Sequence, residues 1–95
     1  MIQLHLVNVL LTPRQRRQFM AWLRRASRLG QLVGDCVMEI TMRRVGRTYE
    51  LAARVHDAAG DFACRARQTD SRLAMRDLAG AIAARVHQHR VERTR

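Results

Sequence analysis

The chain has 95 residues, enough for one compact domain, and 47% of them are hydrophobic, enough to form a core. Its 18 basic residues, all of them arginine, outnumber 8 acidic ones and give a formal net charge of +10, so we expect a polyanionic partner. Two cysteines do not make a secreted disulfide scaffold, no apolar run has the length of a membrane span, and residues 1–11 lack the basic leader of a signal peptide. We therefore expect a cytoplasmic protein without membrane contact.

The first half of the chain predicts a strand, a helix and a second strand. Residues 2–7 alternate apolar and polar side chains, which is typical of a strand. Thr12 and Pro13 can begin a helix, and Gly30 and Gly34 can close it. The apolar stripe of this helix contains Phe19, Trp22, Leu23, Ala26 and Leu29, and residues 36–43 alternate again as a strand with Cys36, Met38, Ile40 and Met42 inward.

The second half predicts a turn at Gly46, a strand over residues 48–56, a hairpin loop over residues 57–61 and a fourth strand over residues 62–67. Asp70 or Ser71 can cap a last helix, whose inward stripe is Ala74, Met75, Leu78, Ile82 and Val86. The predicted order is β-α-β-β-β-α, an α+β fold with two helices on one face of a four-stranded sheet. Residues 1–90 form the domain, and residues 91–95 are expected to be a basic, flexible tail.

The last third of the chain carries the most specific residue pattern in the sequence. It contains Val55-His56-Asp57-Ala58-Ala59-Gly60-Asp61-Phe62, an alternating strand, and then Asp70, Ala74, Leu78, Ile82, Val86, His89 and Arg90. With the element order, this pattern resembles the ribosome hibernation-promoting factors, also called ribosome-associated inhibitors or sigma-54 modulation proteins, over roughly residues 2–90. The chain is similar to a divergent short form, because it has Ala81, Ala84 and Gln88 where the family usually carries basic residues.

The resemblance implies a fold similar to double-stranded-RNA-binding domains. It also implies a translation inhibitor that binds small-subunit ribosomal RNA in the channel used by messenger and transfer RNA. Such a factor has no catalytic residues, cofactor or small-molecule substrate, and we expect it to bind the ribosome as a monomer through basic side chains on phosphates.

The candidate RNA-binding residues are arginines, whose forked guanidinium suits phosphate oxygens. One group lies within a fan about 100° wide on the first helix, with no acidic residue between Pro13 and Gly34. Further candidates lie on the exposed sheet face, where Glu39 and Glu50 could pair with arginines instead, and on the last helix. The predicted site consists of Arg14, Arg17, Arg24, Arg25, Arg28, Arg54, Arg65, Arg67, Arg72, Arg76, Arg85 and Arg90.

Other classes of function remain as alternatives. A regulatory domain of the same fold could use its arginines on an acidic protein, and a general binder of structured RNA would need no ribosome. The four aromatic residues fall on inward positions, which disfavours base stacking. Cys36 and Cys64 have no CxxC partner, and His87 and His89 point to different sides of a helix, so we expect no metal site and no enzyme activity.

Overall fold

The computed structural model describes residues 1–29, 36–57 and 60–93, with side chains for residues 1–27, 36–56 and 60–88. Its elements follow the predicted order β-α-β-β-β-α. They are β1 (Ile2–Val7), α1 (Pro13–Leu29), β2 (Val37–Val45), β3 (Thr48–Asp57), β4 (Gly60–Gln68) and α2 (Ser71–Arg93).

The four strands form one sheet in the order β1-β2-β3-β4. Strand β1 pairs with β2 in parallel, since α1 carries the chain back across the sheet between them, and the other two pairings are antiparallel. The register aligns the apolar positions: Leu4 lies opposite Ile40, Ile40 opposite Ala53, and Ala53 opposite Cys64. One face of the sheet is therefore apolar across its whole width.

The core lies between that face and the two helices. Phe19 and Leu23 of α1 are fully buried, as are Leu78, Ile82 and Val86 of α2. The predicted inward positions of the strands are buried or half-buried, whereas the alternating positions Glu39, Arg43, Arg54 and Arg65 are exposed. The predicted α+β architecture with both helices on one face is confirmed.

Both helix starts carry the predicted caps. The Thr12 hydroxyl accepts a hydrogen bond from the Gln15 amide at 3.1 Å, and the Gln15 side-chain oxygen accepts one from the Thr12 amide at 2.9 Å. This reciprocal capping box satisfies two amides that a helix start leaves unpaired. At α2, the carboxylate of Asp70, rather than Ser71, accepts the Leu73 amide at 3.0 Å.

The turns are only partly as predicted. Gly46 has φ +61° in the tight turn between β2 and β3, a conformation in which L side chains are strained. The predicted hairpin loop over residues 57–61 was too long, because Asp57 pairs with Gly60 and His56 pairs with Asp61 in the strand ladder. Ala58 and Ala59, and the predicted helix end at Gly30 and Gly34, lie outside the described residues.

Helix α2 continues past the predicted domain end at residue 90. Its backbone is helical through Arg93, and residues 94 and 95 lie outside the described residues. The flexibility of a tail over residues 91–95 stays a prediction.

Candidate nucleic-acid interface

The two helices run in the same direction. Strands β1, β2 and β4 are mutually parallel in direction, and α1 and α2 each return across the sheet after β1 and β4 respectively. Both helix N-termini therefore lie at the same end of the molecule. Each N-terminus carries the positive end of a helix dipole; the neutral Thr12 caps α1, whereas the Asp70 carboxylate caps α2 and offsets part of its positive end.

This parallel arrangement brings arginines of the two helices together. Arg14 in the first turn of α1 and Arg72 in the first turn of α2 line one surface depression together with Trp22 and Met75. Farther along the helices, Arg25 and Arg76 line a second depression, which Trp22 also borders. Four of the predicted site residues thus surround one half-buried tryptophan on the helical side of the molecule.

The other arginines of the α1 fan lie away from α2. Arg24 borders a depression together with Ile2 and Cys36, at the edge of the sheet formed by β1. Arg17 is exposed, and the side chain of Arg28 lies outside the described residues. The fan predicted from helical spacing is therefore split between two flanks of α1.

The sheet face, meaning the side of the sheet without helices, carries alternating charges. The cross-strand register places Glu50 between Arg43 and Arg67, and its two carboxylate oxygens each lie 3.9 Å from the Nε of one of these arginines. Arg54 lies opposite Glu39 in the register, and Arg65 lies opposite Ala52. The sequence left cross-strand pairing with glutamate open as an alternative to RNA contact, and Arg67 forms such a pair.

Arg85 lies on a different flank of α2 from Arg72 and Arg76. Its guanidinium carbon is 5.6 Å from the centroid of the Phe62 ring on β4, a cation–π contact. The side chain of Arg90 lies outside the described residues. The predicted site residues therefore occupy the helical side, the sheet face and the β4 flank, and they do not form a single cluster.

Among the described side chains, four exposed arginines were absent from the predicted site: Arg16, Arg43, Arg44 and Arg47. By strand alternation Arg44 falls on an inward position of β2, but it lies at the exposed end of the strand. Its guanidinium is 5.8 Å from the Tyr49 ring centroid, and its Nε donates a hydrogen bond to the Gly46 carbonyl at 3.2 Å. Arg47 lies in the turn beside Gly46. For Arg44 and Arg47, the turn predicted at Gly46 was the signal in the sequence that could have indicated their exposure.

The helical arginines have a different electrostatic setting from those of the sheet. Within the described part of the chain, no carboxylate forms an ion pair with an arginine of α1 or α2. Helix α1 contains no acidic residue, and Asp77 of α2 accepts a hydrogen bond from Gln68 at 2.8 Å. The arginines of the two helices are therefore without ion-pair partners among the described side chains.

The nucleophilic and metal-binding residues are dispersed. Cys36 and Cys64 are not joined in a disulfide bond: Cys36 directly precedes β2, Cys64 lies in β4, and β3 separates these two strands. Burial raises the pKa of the Cys64 thiol, an effect that the nearby Arg85 partly opposes. Among the described residues, no group of three histidine, cysteine or acidic side chains could hold a metal ion. None of the described helices is long and apolar enough to cross a membrane.

No protein family and no curated protein matches this sequence. Among the solved structures that match, two each cover more than nine-tenths of this chain. The N-terminal domain of Thermus thermophilus Protein Y superposes with a TM-score of 0.79 at 16% identity, covering 92% of this chain and 94% of that one. This chain has the same fold as that domain. A ribosomal subunit interface protein from Coxiella burnetii has a TM-score of 0.77 at 15% identity, with 95% of this chain and 97% of that one covered. The resemblance in architecture stated from the sequence is confirmed.

Proposed function

We propose that this chain is a ribosome-associated translation inhibitor that binds small-subunit ribosomal RNA in the mRNA and tRNA channel through arginine–phosphate contacts. Two solved proteins of the same fold, one of them named a ribosomal subunit interface protein, support the ribosome as the target. The proposal needs neither a cofactor nor catalysis, since phosphate recognition by guanidinium groups is a binding event. A cytoplasmic monomer is the form that we expect to bind.

The observation that carries the RNA proposal is the unpaired charge of the helical side. All ten predicted arginines with described side chains are exposed, and Arg67 is the one among them that forms an ion pair. A formal charge of +10 repels itself unless counterions or a polyanion neutralise it. Structural ion pairing therefore does not account for these arginines, whereas phosphate binding does.

The helical side suits a phosphate backbone better than the sheet face does. On the sheet face, Glu50 lies 3.9 Å from the Nε atoms of Arg43 and Arg67, and Glu39 lies opposite Arg54 in the strand register. On the helical side, Arg17 and Arg24 lie two turns apart, about 10 Å along the axis of α1. This spacing allows them to contact two phosphates of one strand, and Arg14 and Arg72 form a second basic patch at the start of the two helices.

The half-buried state of the aromatic residues indicates how RNA would be read. Phe19 is fully buried, and Trp22, Tyr49 and Phe62 pack against the core. Phe19 offers no ring face to solvent and the other three rings are only partly exposed, which disfavours stacking of unpaired bases. We therefore expect recognition of the shape and phosphates of structured RNA, with little dependence on base sequence.

Co-sedimentation with purified small subunits and whole ribosomes tests the proposal. We expect the protein to pellet with both at low salt and to dissociate as salt rises, because each phosphate contact releases counterions. Absence from the pellet at low salt would contradict ribosome binding. Equal competition by unrelated duplex RNA would instead indicate a general binder of structured RNA.

The second arm of the experiment separates RNA from an acidic protein as the partner. After affinity capture, nuclease treatment should release every ribosomal protein that RNA holds to the chain. A partner that stays bound after complete RNA digestion would favour direct protein contact over the proposed function.

A further inference from the structure

The depression between α1 and α2 has an apolar floor and a basic rim. Its volume is about 270 Å³, and it is lined by Trp22, Ala26, Ala79, Gly80 and Ala83, with Arg25 on one side and Arg76 on the other. We name this depression the helix groove. Ala26 and Ala79 are buried where the two helices meet, whereas Gly80 and both arginines are exposed.

Gly80 has no role in the fold that would require glycine. It lies in the interior of α2, where glycine is among the least favourable helix residues. Its backbone does not have a left-handed conformation, and a Cβ atom built there would meet no atom within 4 Å. The missing side chain therefore leaves open space on the surface of the groove, which would let another chain approach the α2 backbone closely.

The chemistry of the groove specifies what could occupy it. An apolar side chain would cover the alanines and Trp22, and carboxylates beside it would meet Arg25 and Arg76, which have no ion pair among the described residues. A phosphate backbone could pair with the two arginines but would leave the apolar floor uncovered. Charge and hydrophobicity together favour a protein segment over a nucleic acid.

We propose that the helix groove docks an acidic amphipathic helix of a partner protein. The apolar stripe of that helix would lie over Gly80 and Ala83, and its glutamates or aspartates would flank the stripe. Such helix-in-groove binding uses apolar anchors at helical spacing. The groove shares Arg25 and Arg76 with the predicted RNA-binding residues, but it includes neither Arg17 nor Arg24, the central contacts of the proposed RNA surface.

The probe is a synthetic helical peptide of about 18 residues, five turns, with leucines and alanines on one stripe and glutamates beside it. Trp22 is the only tryptophan of the chain, so its fluorescence reports binding at the groove directly. We expect a saturable fluorescence change with this peptide. A scrambled peptide of the same composition, and a version with glutamine in place of glutamate, should bind at least about tenfold more weakly.

Variants of the chain locate the binding. A Cβ at position 80 meets no atom within 4 Å, so Gly80→Leu places a side chain in the open space of the groove and should weaken peptide binding by about tenfold or more. Ala84→Leu adds the same side chain to an exposed position of α2 that does not line the groove, and it should leave the affinity unchanged. Thermal unfolding of both variants verifies that each is folded.

The outcomes separate this proposal from ribosome binding. Gly80→Leu should still co-sediment with ribosomes, since it leaves every arginine in place. If the acidic peptide does not bind, or binds Gly80→Leu as tightly as the original chain, the docking proposal is wrong whatever the ribosome does. Duplex RNA could also change the fluorescence of Trp22. If it does, and if Gly80→Leu weakens RNA binding as much as it weakens peptide binding, the groove belongs to the RNA surface and the docking proposal is overturned.

Discussion

The guanidinium carbon of Arg85 lies 5.6 Å from the centroid of the Phe62 ring, a contact that joins α2 to β4. Cation–π contacts at exposed sites contribute about 0.5–1 kcal/mol. We expect Arg85→Gln to lower the free energy of unfolding by about that amount, measured by urea denaturation. A double-mutant cycle with Phe62→Leu should show coupling of similar size, and strictly additive effects would contradict the assignment.

Cys64 provides a prediction about pH. Burial holds its pKa above the usual value of 9.0, so the unfolded chain ionises this thiol before the folded chain does. The stabilisation from keeping the thiol neutral is complete below the unfolded pKa, and it is lost as the pH rises through the folded pKa. The stability of the original chain should therefore fall more steeply in alkaline solution than that of Cys64→Ala.

Arg85 provides a second prediction about the pKa of Cys64. Its positive charge lowers the pKa of Cys64 against the effect of burial, so Arg85→Gln should raise that pKa further. Unfolding midpoints measured from neutral to alkaline pH for the original chain, Cys64→Ala and Arg85→Gln verify both statements. Parallel curves for the original chain and Cys64→Ala would show that Cys64 does not contribute.

The fold could be predicted from the sequence because its signals are local. The alternation around Ile40 and Leu51, the helical spacing of Phe19 and Leu23, and the capping chemistry of Thr12 each require only neighbouring residues. The hairpin at residues 57–61 was less accessible to prediction. Turn-forming residue types occur there, but ladder pairing of Asp57 with Gly60 extends both strands into the predicted loop.

The arrangement of the site depends on packing that spacing alone does not determine. Helical spacing placed five arginines on one fan of α1, but the side of the fan that meets α2 depends on how the helices pack. That packing brings Arg14 to Arg72 and Arg25 to Arg76, and it leaves Arg85 over Phe62. Likewise, the exact strand register determines which arginines share Glu50.

The capping box at the start of α1 is expected to stabilise the domain. Thr12→Ala removes the hydroxyl that accepts the Gln15 amide at 3.1 Å and should cost about 1 kcal/mol of unfolding free energy. Thr12→Ser keeps an oxygen at the same position and serves as the control. Hydrogen exchange of the Gln15 amide should accelerate in Thr12→Ala alone, and equal exchange in both variants would contradict the cap.

Gly80→Ala should stabilise the chain. The added Cβ meets no atom within 4 Å, and alanine is favoured over glycine in a helix by about 1 kcal/mol. The reverse substitution Ala84→Gly, at an exposed position of the same helix, should destabilise by a similar amount. Thermal or urea unfolding measures both changes. Destabilisation by Gly80→Ala would mean that the position makes a contact within the chain that glycine alone permits.

The salt dependence of RNA binding distinguishes the helical side from the sheet face. For the pair Arg17→Gln and Arg24→Gln, we expect the slope of log affinity against log salt to fall by about 0.7–0.9 per lost phosphate contact. The matched pair Arg43→Gln and Arg67→Gln removes the same charge from the sheet face, where Glu50 already lies 3.9 Å from the Nε of both arginines, and should change the slope less. Filter binding to a fragment of small-subunit RNA measures both slopes. Equal reductions would mean that net charge alone governs binding, whereas a larger reduction for the sheet pair would move the proposed RNA surface to the sheet.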